Sequence, residues 1–258
     1  MTDQTHWAIR SQHWNRSEPP LRPDPLAVQK IQELVGHKTS DILLLGVTRE
    51  LTVAFDNVVA VERELNMINN VWLGNTDTRT VIHNDWLKIQ FPHERFGGAV
   101  GDGSINQVAY PYEQKHLLEK ILTWLEPGGV FACRMYTRPD TPITREQLIA
   151  ESVKQTVNWS AYRRMLTMYL AHNVGQTMPI RMVKDLFDEL FPSKENLPWT
   201  REQLEMIEAY GRSTLSSCLP TRDELMAIIP NGITASFVDA GDYDLAECCP
   251  ILTFTKDE

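Results

Sequence analysis

The chain has 258 residues and a formal net charge of −9, with 42% hydrophobic and 23% charged residues. This length and composition allow one sizeable core, so we expect one main domain. The acidic charge disfavours a general nucleic-acid binder, and no apolar run reaches the roughly 20 residues of a membrane span. The polar start at Met1 does not read as a signal peptide. We therefore expect a soluble, cytoplasmic protein with a small-molecule partner.

The first 25 residues predict an ordered arm with no regular structure beyond a short helix, because Pro19, Pro20, Pro23 and Pro25 lie near its end. The main domain is predicted over residues 26–258. It begins with apolar residues at helical spacing that end at Gly36, which is typical of a helix and its C-terminal stop.

Short apolar runs that alternate with helical segments follow this first helix. Each run ends at a polar or glycine-containing turn, which is typical of strands in a doubly wound parallel sheet. The predicted strands are 42–45, 58–61, 80–82, 98–101 and 130–135.

The segment from about residue 144 to residue 229 carries amphipathic stretches and no clear strand pattern, so we expect a helical cap insertion. Two β-rich runs come next, at 233–238 and 251–255, and we expect them to pair as the last two strands. The predicted fold is therefore α/β, with a capped, mostly parallel sheet.

Polar residues after the predicted strands indicate a ligand site, since open parallel sheets bind ligands at the carboxyl ends of their strands. Gly46 permits close approach of a ligand, and Glu62, 16 residues later, can accept hydrogen bonds from a ribose diol. Asp85 can receive an adenine amine or can simply cap a turn. Trp86 or Met67 can pack on the ring face. Together these residues outline an adenosyl ligand.

The order of these motifs resembles the class I S-adenosylmethionine-dependent methyltransferase family. The similarity covers residues 40 to 138 and rests on Leu44-Leu45-Gly46-Val47-Thr48-Arg49-Glu50, Val61-Glu62-Arg63, Asn84-Asp85-Trp86 and Leu125-Glu126-Pro127-Gly128-Gly129. It implies a seven-stranded, mostly parallel sheet with a C-terminal antiparallel strand pair. It also implies S-adenosyl-L-methionine as cofactor and methyl transfer to a nitrogen, oxygen or sulfur atom of a small-molecule acceptor.

The cofactor loop departs from the family pattern, because Leu44 replaces an acidic residue and Gly46 is the glycine that remains. Its LGVTxEL form is similar to a variant of the family, in which Thr48 and Glu50 would bind the amino group of the ligand. The resemblance implies cofactor contacts by Gly46, Thr48, Glu50, Glu62, Arg63, Met67, Asn84, Asp85, Trp86, Asp102 and Gly103.

Methyl transfer is an in-line displacement, so the protein must mainly align donor and acceptor. Asp102 follows the fourth predicted strand, where the family brings them together, and we predict a catalytic or acceptor-orienting carboxylate there; the alternative is a residue that shapes a turn. Arg134 would bind an acceptor carboxylate or pair structurally with an acidic residue. The aromatic residues predicted to wall the acceptor pocket are Trp7, Trp14, Tyr110 and Tyr112. The alternative for the two tryptophans is that they pack into the core.

Two other functions compete with this interpretation. The altered glycine loop would suit a non-catalytic adenosyl-binding or regulatory protein, and Gly46 with Glu62 would also suit a nicotinamide-dependent oxidoreductase. The missing GxGxxG pattern disfavours the oxidoreductase, and the Pro127-Gly128-Gly129 turn favours the methyltransferase. The seven histidines show no HxH or HExxH spacing and the four cysteines no CxxC spacing, so we predict no metal site.

Overall fold

The computed structural model describes residues 4–154 and 158–257. Their helices and strands alternate as the sequence predicts. The strands are β1 (Ile42–Leu45), β2 (Val58–Glu62), β3 (Arg79–His83), β4 (Phe96–Asp102), β5 (Leu125–Arg134), β6 (Thr177–Pro179), β7 (Ser216–Cys218), β8 (Ala235–Val238) and β9 (Ile251–Thr255). The α-helices are α1 (Gln4–Gln12), α2 (Pro25–Val35), α3 (Arg49–Ala54), α4 (Leu65–Asn70), α5 (Tyr112–Trp124), α6 (Arg145–Ser152), α7 (Trp159–Asn173), α8 (Arg181–Leu190), α9 (Arg201–Glu208) and α10 (Arg222–Met226).

Within the described residues, the main sheet has seven strands in the order β3-β2-β1-β4-β5-β9-β8. Strands β1 to β5 run parallel, and β9 is antiparallel to both β5 and β8. This confirms the predicted fold class. Because the chain places β2 and β3 on one side of β1 and β4 on the other, the strand order reverses between β1 and β4. Ligands of open α/β sheets bind in the crevice at such a switch point.

The central strands could be predicted from the sequence because their residues are buried on both faces of the sheet. Every residue of β1 and β2 is buried, as continuous apolar runs predict for strands covered on both faces. One hydrophobic cluster includes α5 residues, such as Leu117 and Ile121, and another includes α2 residues, such as Ile31 and Val35. The observed β4 and β5 extend beyond the predicted runs, because Phe96 pairs with Leu125 ahead of a register shift.

The cap is mainly helical but also contains a small antiparallel sheet of β6 and β7. Three-residue strands are too short to show an alternating pattern, which is why the sequence predicted no strand there. A buried aromatic cluster holds helices α7 and α8 together, with Trp159 and Tyr162 against Phe187 and Trp199. Helix α10 packs Leu225 into the core beneath the sheet instead.

The N-terminal arm contains a short helix, which the sequence allowed. It forms α1 and a 3-10 turn at Trp14–Arg16, while residues 1–3 of the predicted arm lie outside the described residues. Helix α1 packs against α4 of the sheet domain and against a 3-10 turn of the cap at Ala209–Arg212. The arm therefore bridges the sheet and the cap. Across residues 4–154 and 158–257, every helix is too short or too polar to cross a bilayer.

Candidate functional site

A cavity of about 460 Å³, open mouth included, lies where the strand order reverses between β1 and β4. We call it the sheet cavity. It brings together a large part of the predicted site: Trp14, Gly46, Thr48, Glu62, Met67, Trp86, Asp102 and Gly103. Trp7, which the sequence also suggested as a wall of the pocket, is in the lining too. The sequence did not single out the other lining residues as contacts: Arg10, Leu45, Val47, Ser104, Gln107 and Tyr136.

Two glycines shape opposite walls of the sheet cavity. Gly46 follows β1 with φ 101°, and a Cβ there would lie 3.7 Å from Oε2 of Glu62. Gly103 follows β4 with φ 64°, and a Cβ there would overlap the Tyr136 ring. Because positive φ values are strained for other residues, both loops depend on glycine.

Glu62 ends β2 with a side chain that is largely withdrawn from solvent, the residue being 8% exposed. Its Oε1 accepts the backbone N–H of Glu64 at 2.8 Å, and its Oε2 faces Gly46. Burial raises the pKa of Glu62 to about 7. The carboxylate is thus a buried acceptor that would gain from hydroxyl donors in the cavity.

The Trp86 ring is held at the edge of the same cavity, because its Nε1 donates to the carbonyl of Val61 at 2.7 Å. Neighbouring Asp85 has capping geometry, with Oδ1 accepting the N–H of Leu87 at 2.9 Å. Asn84 in turn accepts the N–H of Asp85 at 2.8 Å. Neither Asn84 nor Asp85 belongs to the cavity lining, and their adenine contacts remain predictions.

Asp102 and Arg134 form a buried ion pair with 2.5 Å between Oδ1 and Nε. The guanidinium is 0% exposed and also donates to the hydroxyls of Tyr243 at 3.0 Å and Tyr136 at 3.2 Å. Asp102 lines the sheet cavity, whereas Arg134 lies behind it. Arg134 therefore pairs with an acidic residue, which was one of the two roles predicted for it. The geometry does not support the other predicted role, contact with the acceptor, because Arg134 is not part of the cavity lining.

Of the two residues predicted to bind the amino group of the ligand, Thr48 lines the sheet cavity and Glu50 does not. Thr48 lines the cavity and precedes α3, whose Thr52 donates to the Thr48 carbonyl. Glu50 instead forms an ion pair with Arg22 of the arm, and its buried Oε2 has no hydrogen-bond partner among the described residues. Arg63 pairs with Glu64 at 3.5 Å outside the lining.

Two of the four predicted aromatic walls line the cavity: Trp7 on α1 and, in the 3-10 turn that follows, Trp14. Its side chain is buried, and its Nε1 has no hydrogen-bond partner within the described chain. Tyr110 donates to the carbonyl of Glu224 at 3.4 Å. Tyr112 is 85% exposed at the start of α5. Neither tyrosine is part of the lining.

Some lining residues could have been found from local spacing. Arg10 lies three residues after Trp7 on α1, which places both on one helix face. Tyr136 follows Arg134 by two residues, the interval that returns to one face of an extended chain. Buried Asn106 then fixes the Tyr136 backbone, donating to its carbonyl at 2.7 Å and accepting its N–H at 2.8 Å. That clamp had no sequence signal that we recognised.

Metal-ligating side chains are scattered. Over the described part of the chain, no group of three or more His, Cys, Asp or Glu residues is placed to hold a metal ion. The four cysteines are buried free thiols.

No protein-family model and no curated protein matches this chain, whereas solved structures are similar to it in fold. A Rhodobacter sphaeroides structure described as a proposed Zn-dependent alcohol dehydrogenase is similar over 100% of both chains, with TM-score 0.64 and 14% identity. N-methyltransferase NodS from Bradyrhizobium japonicum WM9, in complex with S-adenosyl-L-homocysteine, is similar over 99% of this chain and 100% of its own, with TM-score 0.53 and 10% identity. The DhpI-SAM-HEP complex is similar over 97% and 94%, with TM-score 0.52 and 11% identity. The likeness to NodS shows that the chain has a methyltransferase-type α/β fold.

Proposed function

We propose that this protein transfers a methyl group from S-adenosyl-L-methionine to a small-molecule acceptor. One observation carries the proposal: a buried carboxylate, Glu62, faces Gly46 and Trp86 across a cavity at the strand-order switch point. An acidic residue at the end of the second strand is suited to a ribose diol, and a glycine after the first strand is suited to close ligand approach.

The side chains of the sheet cavity fit an adenosyl cofactor. Glu62 would accept the ribose hydroxyls, for which its Oε2 faces the cavity beside Gly46. Trp86 and Met67 would flank the adenine ring. The unpartnered Nε1 of Trp14 is a buried donor that a polar group of the ligand would satisfy.

When bound, S-adenosyl-L-methionine supplies a methyl group on a sulfonium centre. The protein's part is alignment and exclusion of water. The N-terminal arm would cover the cavity with Trp7 of α1 and Trp14 of the following 3-10 turn, whose aromatic faces favour cationic charge. Asp102, held by Arg134, would act as an acceptor-orienting carboxylate fixed at the end of β4.

A nicotinamide-dependent oxidoreductase is the main competitor, and the Rhodobacter sphaeroides likeness bears on it through the fold alone. Two features favour the methyltransferase. The loop after β1 reads Gly46-Val47-Thr48-Arg49-Glu50-Leu51 and lacks the GxGxxG pattern of a dinucleotide site. The antiparallel β9 between β5 and β8 also departs from the mostly parallel dinucleotide-binding sheet.

Calorimetric titration of the purified protein with S-adenosylmethionine, S-adenosylhomocysteine and NAD tests the ligand class. We expect one site for each adenosyl-sulfur compound and no NAD binding. Tight NAD binding without S-adenosylhomocysteine binding would overturn the proposal. A screen of small metabolites for release of S-adenosylhomocysteine then separates an enzyme from a non-catalytic binding protein.

A further inference from the structure

A second cavity, which we call the arginine cavity, adjoins the sheet cavity beneath the cap. It measures about 470 Å³ with its mouth, and it shares Arg10 and Gln107 with the lining of the sheet cavity. Arg163 and Arg164 of α7 and Tyr210 of the cap also line it. The shared residues place it next to the proposed cofactor site, where a methyl acceptor must lie.

Three arginines give the lining of the arginine cavity its positive charge: Arg10, Arg163 and Arg164. No Asp or Glu is among its lining residues. Within the described chain, none of Arg10, Arg163 and Arg164 forms a salt bridge, although the protein as a whole carries 34 acidic residues and 25 basic ones. The arginines also act on Tyr210. Burial alone raises the pKa of its hydroxyl, but the nearby guanidinium groups, Arg163 first, have the larger effect, so the pKa is lowered from its usual value.

Arg163 and Arg164 are more deeply buried than is usual for arginines without an acidic partner. They are 5% and 7% exposed, and the Nε of each has no hydrogen-bond partner among the described residues. Arg163 donates to the Tyr210 hydroxyl at 3.2 Å, and the Arg164 guanidinium lies 3.7 Å from the centroid of the Tyr136 ring. These neutral contacts orient the two side chains but leave their charge uncompensated, which is costly in a buried site.

From this geometry we infer that the arginine cavity receives an oxyanion group of the methyl acceptor. The inference rests on the proposed function and narrows its substrate class to small carboxylates or phosphate-type anions. Guanidinium groups bind both through paired N–H donors, and a bound oxyanion would supply the missing partners of Arg163 and Arg164. The acceptor would then span from these arginines to Asp102 at the end of β4.

The test is calorimetric titration of the full chain with inorganic phosphate, with acetate and with neutral acetamide, each with and without S-adenosylhomocysteine. We expect phosphate or acetate to bind, whichever matches the acceptor, and acetamide not to bind. In Arg164→Met the anion affinity should fall roughly ten- to a hundredfold, as for loss of charged hydrogen bonds. The matched control is Arg212→Met, which removes an exposed guanidinium from the cap turn that carries Tyr210.

A purely structural role for Arg164 predicts a different result. If the residue only holds the cap, Arg164→Met should lower the melting temperature of the anion-free protein. We expect that temperature to be unchanged or higher, because an unpaired buried cation is removed. Arg10→Gln on the arm gives a second reading if Arg164→Met fails to fold, and it should also weaken anion binding.

The outcomes separate this inference from the proposed function. S-adenosylhomocysteine binding without phosphate or acetate binding overturns the oxyanion site and leaves the cofactor site intact. Unchanged anion affinity in both Arg164→Met and Arg10→Gln also overturns it. Arginine-dependent anion binding without S-adenosylhomocysteine binding supports the oxyanion site and contradicts the proposed methyl transfer.

Discussion

The sheet cavity and the arginine cavity adjoin each other but are built differently. In the sheet cavity, the charged and polar side chains at the strand ends have partners from the protein: Glu62 accepts the N–H of Glu64, Trp86 donates to Val61, and Asp102 pairs with Arg134. The exception is Nε1 of Trp14, which has no partner among the described residues. In the arginine cavity, the Nε atoms of Arg163 and Arg164 have none within the described residues. The first is largely complete on its own, whereas the second lacks a counter-charge that a ligand would bring.

The largest expected effect comes from breaking the ion pair behind the sheet cavity. Asp102→Asn leaves Arg134 buried without its counter-ion, so the free energy of unfolding should fall by about 3–5 kcal/mol in urea denaturation. Glu202→Gln is the control, because its pair with Arg16 is exposed, at 58% and 68%, and should cost less than about 1 kcal/mol. Similar losses of unfolding free energy in both variants would contradict the stabilising role of the Asp102–Arg134 pair in the sheet cavity.

The next effect concerns the glycine walls. Gly103→Ala introduces a Cβ against the Tyr136 ring, whereas Gly128→Ala has a similar φ of 71° with no atom within 4 Å. Both changes carry the cost of a positive φ, but Gly103→Ala should lose roughly 1–3 kcal/mol more through overpacking. It should also weaken S-adenosylhomocysteine binding, while Gly128→Ala should not. Equal stability of the two variants would show that the Gly103 loop relaxes freely.

A smaller effect is the pH dependence of cofactor binding. Burial raises the pKa of Glu62 from 4.5 to about 7. Between these two pH values the folded protein keeps a proton on Glu62 that the unfolded chain has lost, so the free energy of unfolding falls as pH rises from 4.5 to about 7. Ribose hydroxyls favour the ionised carboxylate, so affinity for S-adenosylhomocysteine should rise about tenfold from pH 6 to pH 8. The rise should be absent in Glu62→Gln. A flat calorimetric profile in the wild type would remove Glu62 from the ribose contact.

The smallest effect is expected at Tyr112, which the sequence placed in the acceptor pocket and the structure leaves 85% exposed. Tyr112→Ala should change the free energy of unfolding by less than about 0.5 kcal/mol, as is usual for surface positions. It should leave affinity for S-adenosylhomocysteine and phosphate unchanged. A tenfold loss of either affinity would restore the acceptor wall that the sequence predicted.

The sequence predicted the sheet cavity because its residues follow strands that are readable as apolar runs. Gly46 and Glu62 come directly after the buried β1 and at the end of the buried β2. The side chains of Asp85 and Arg134 were harder to place, since turn capping and ion pairing depend on neighbours that are distant in sequence or on exact loop geometry.

The arginine cavity was not predicted, because its residues come mainly from the arm and the cap, with Gln107 from the segment after β4, and meet only through tertiary packing. A usable signal was present in α7, whose sequence WSAYRRMLTMYLAHN holds Arg163 and Arg164 without any acidic residue. Most of this helix is buried, so two adjacent arginines in it require a counter-charge from elsewhere. From the sequence, this part of the chain was predicted only as a helical cap insertion, and this signal was not used.

The central claim is that one site binds the cofactor in the sheet cavity and an anion in the arginine cavity. It is tested most directly by calorimetric titration of three proteins with both kinds of ligand. Wild type, Glu62→Ala and Arg164→Met are each titrated with S-adenosylhomocysteine and with phosphate or acetate. We predict that Glu62→Ala loses affinity mainly for S-adenosylhomocysteine, and Arg164→Met mainly for the anion. Unchanged S-adenosylhomocysteine affinity in Glu62→Ala, or equal losses of both ligands in both variants, would contradict the account.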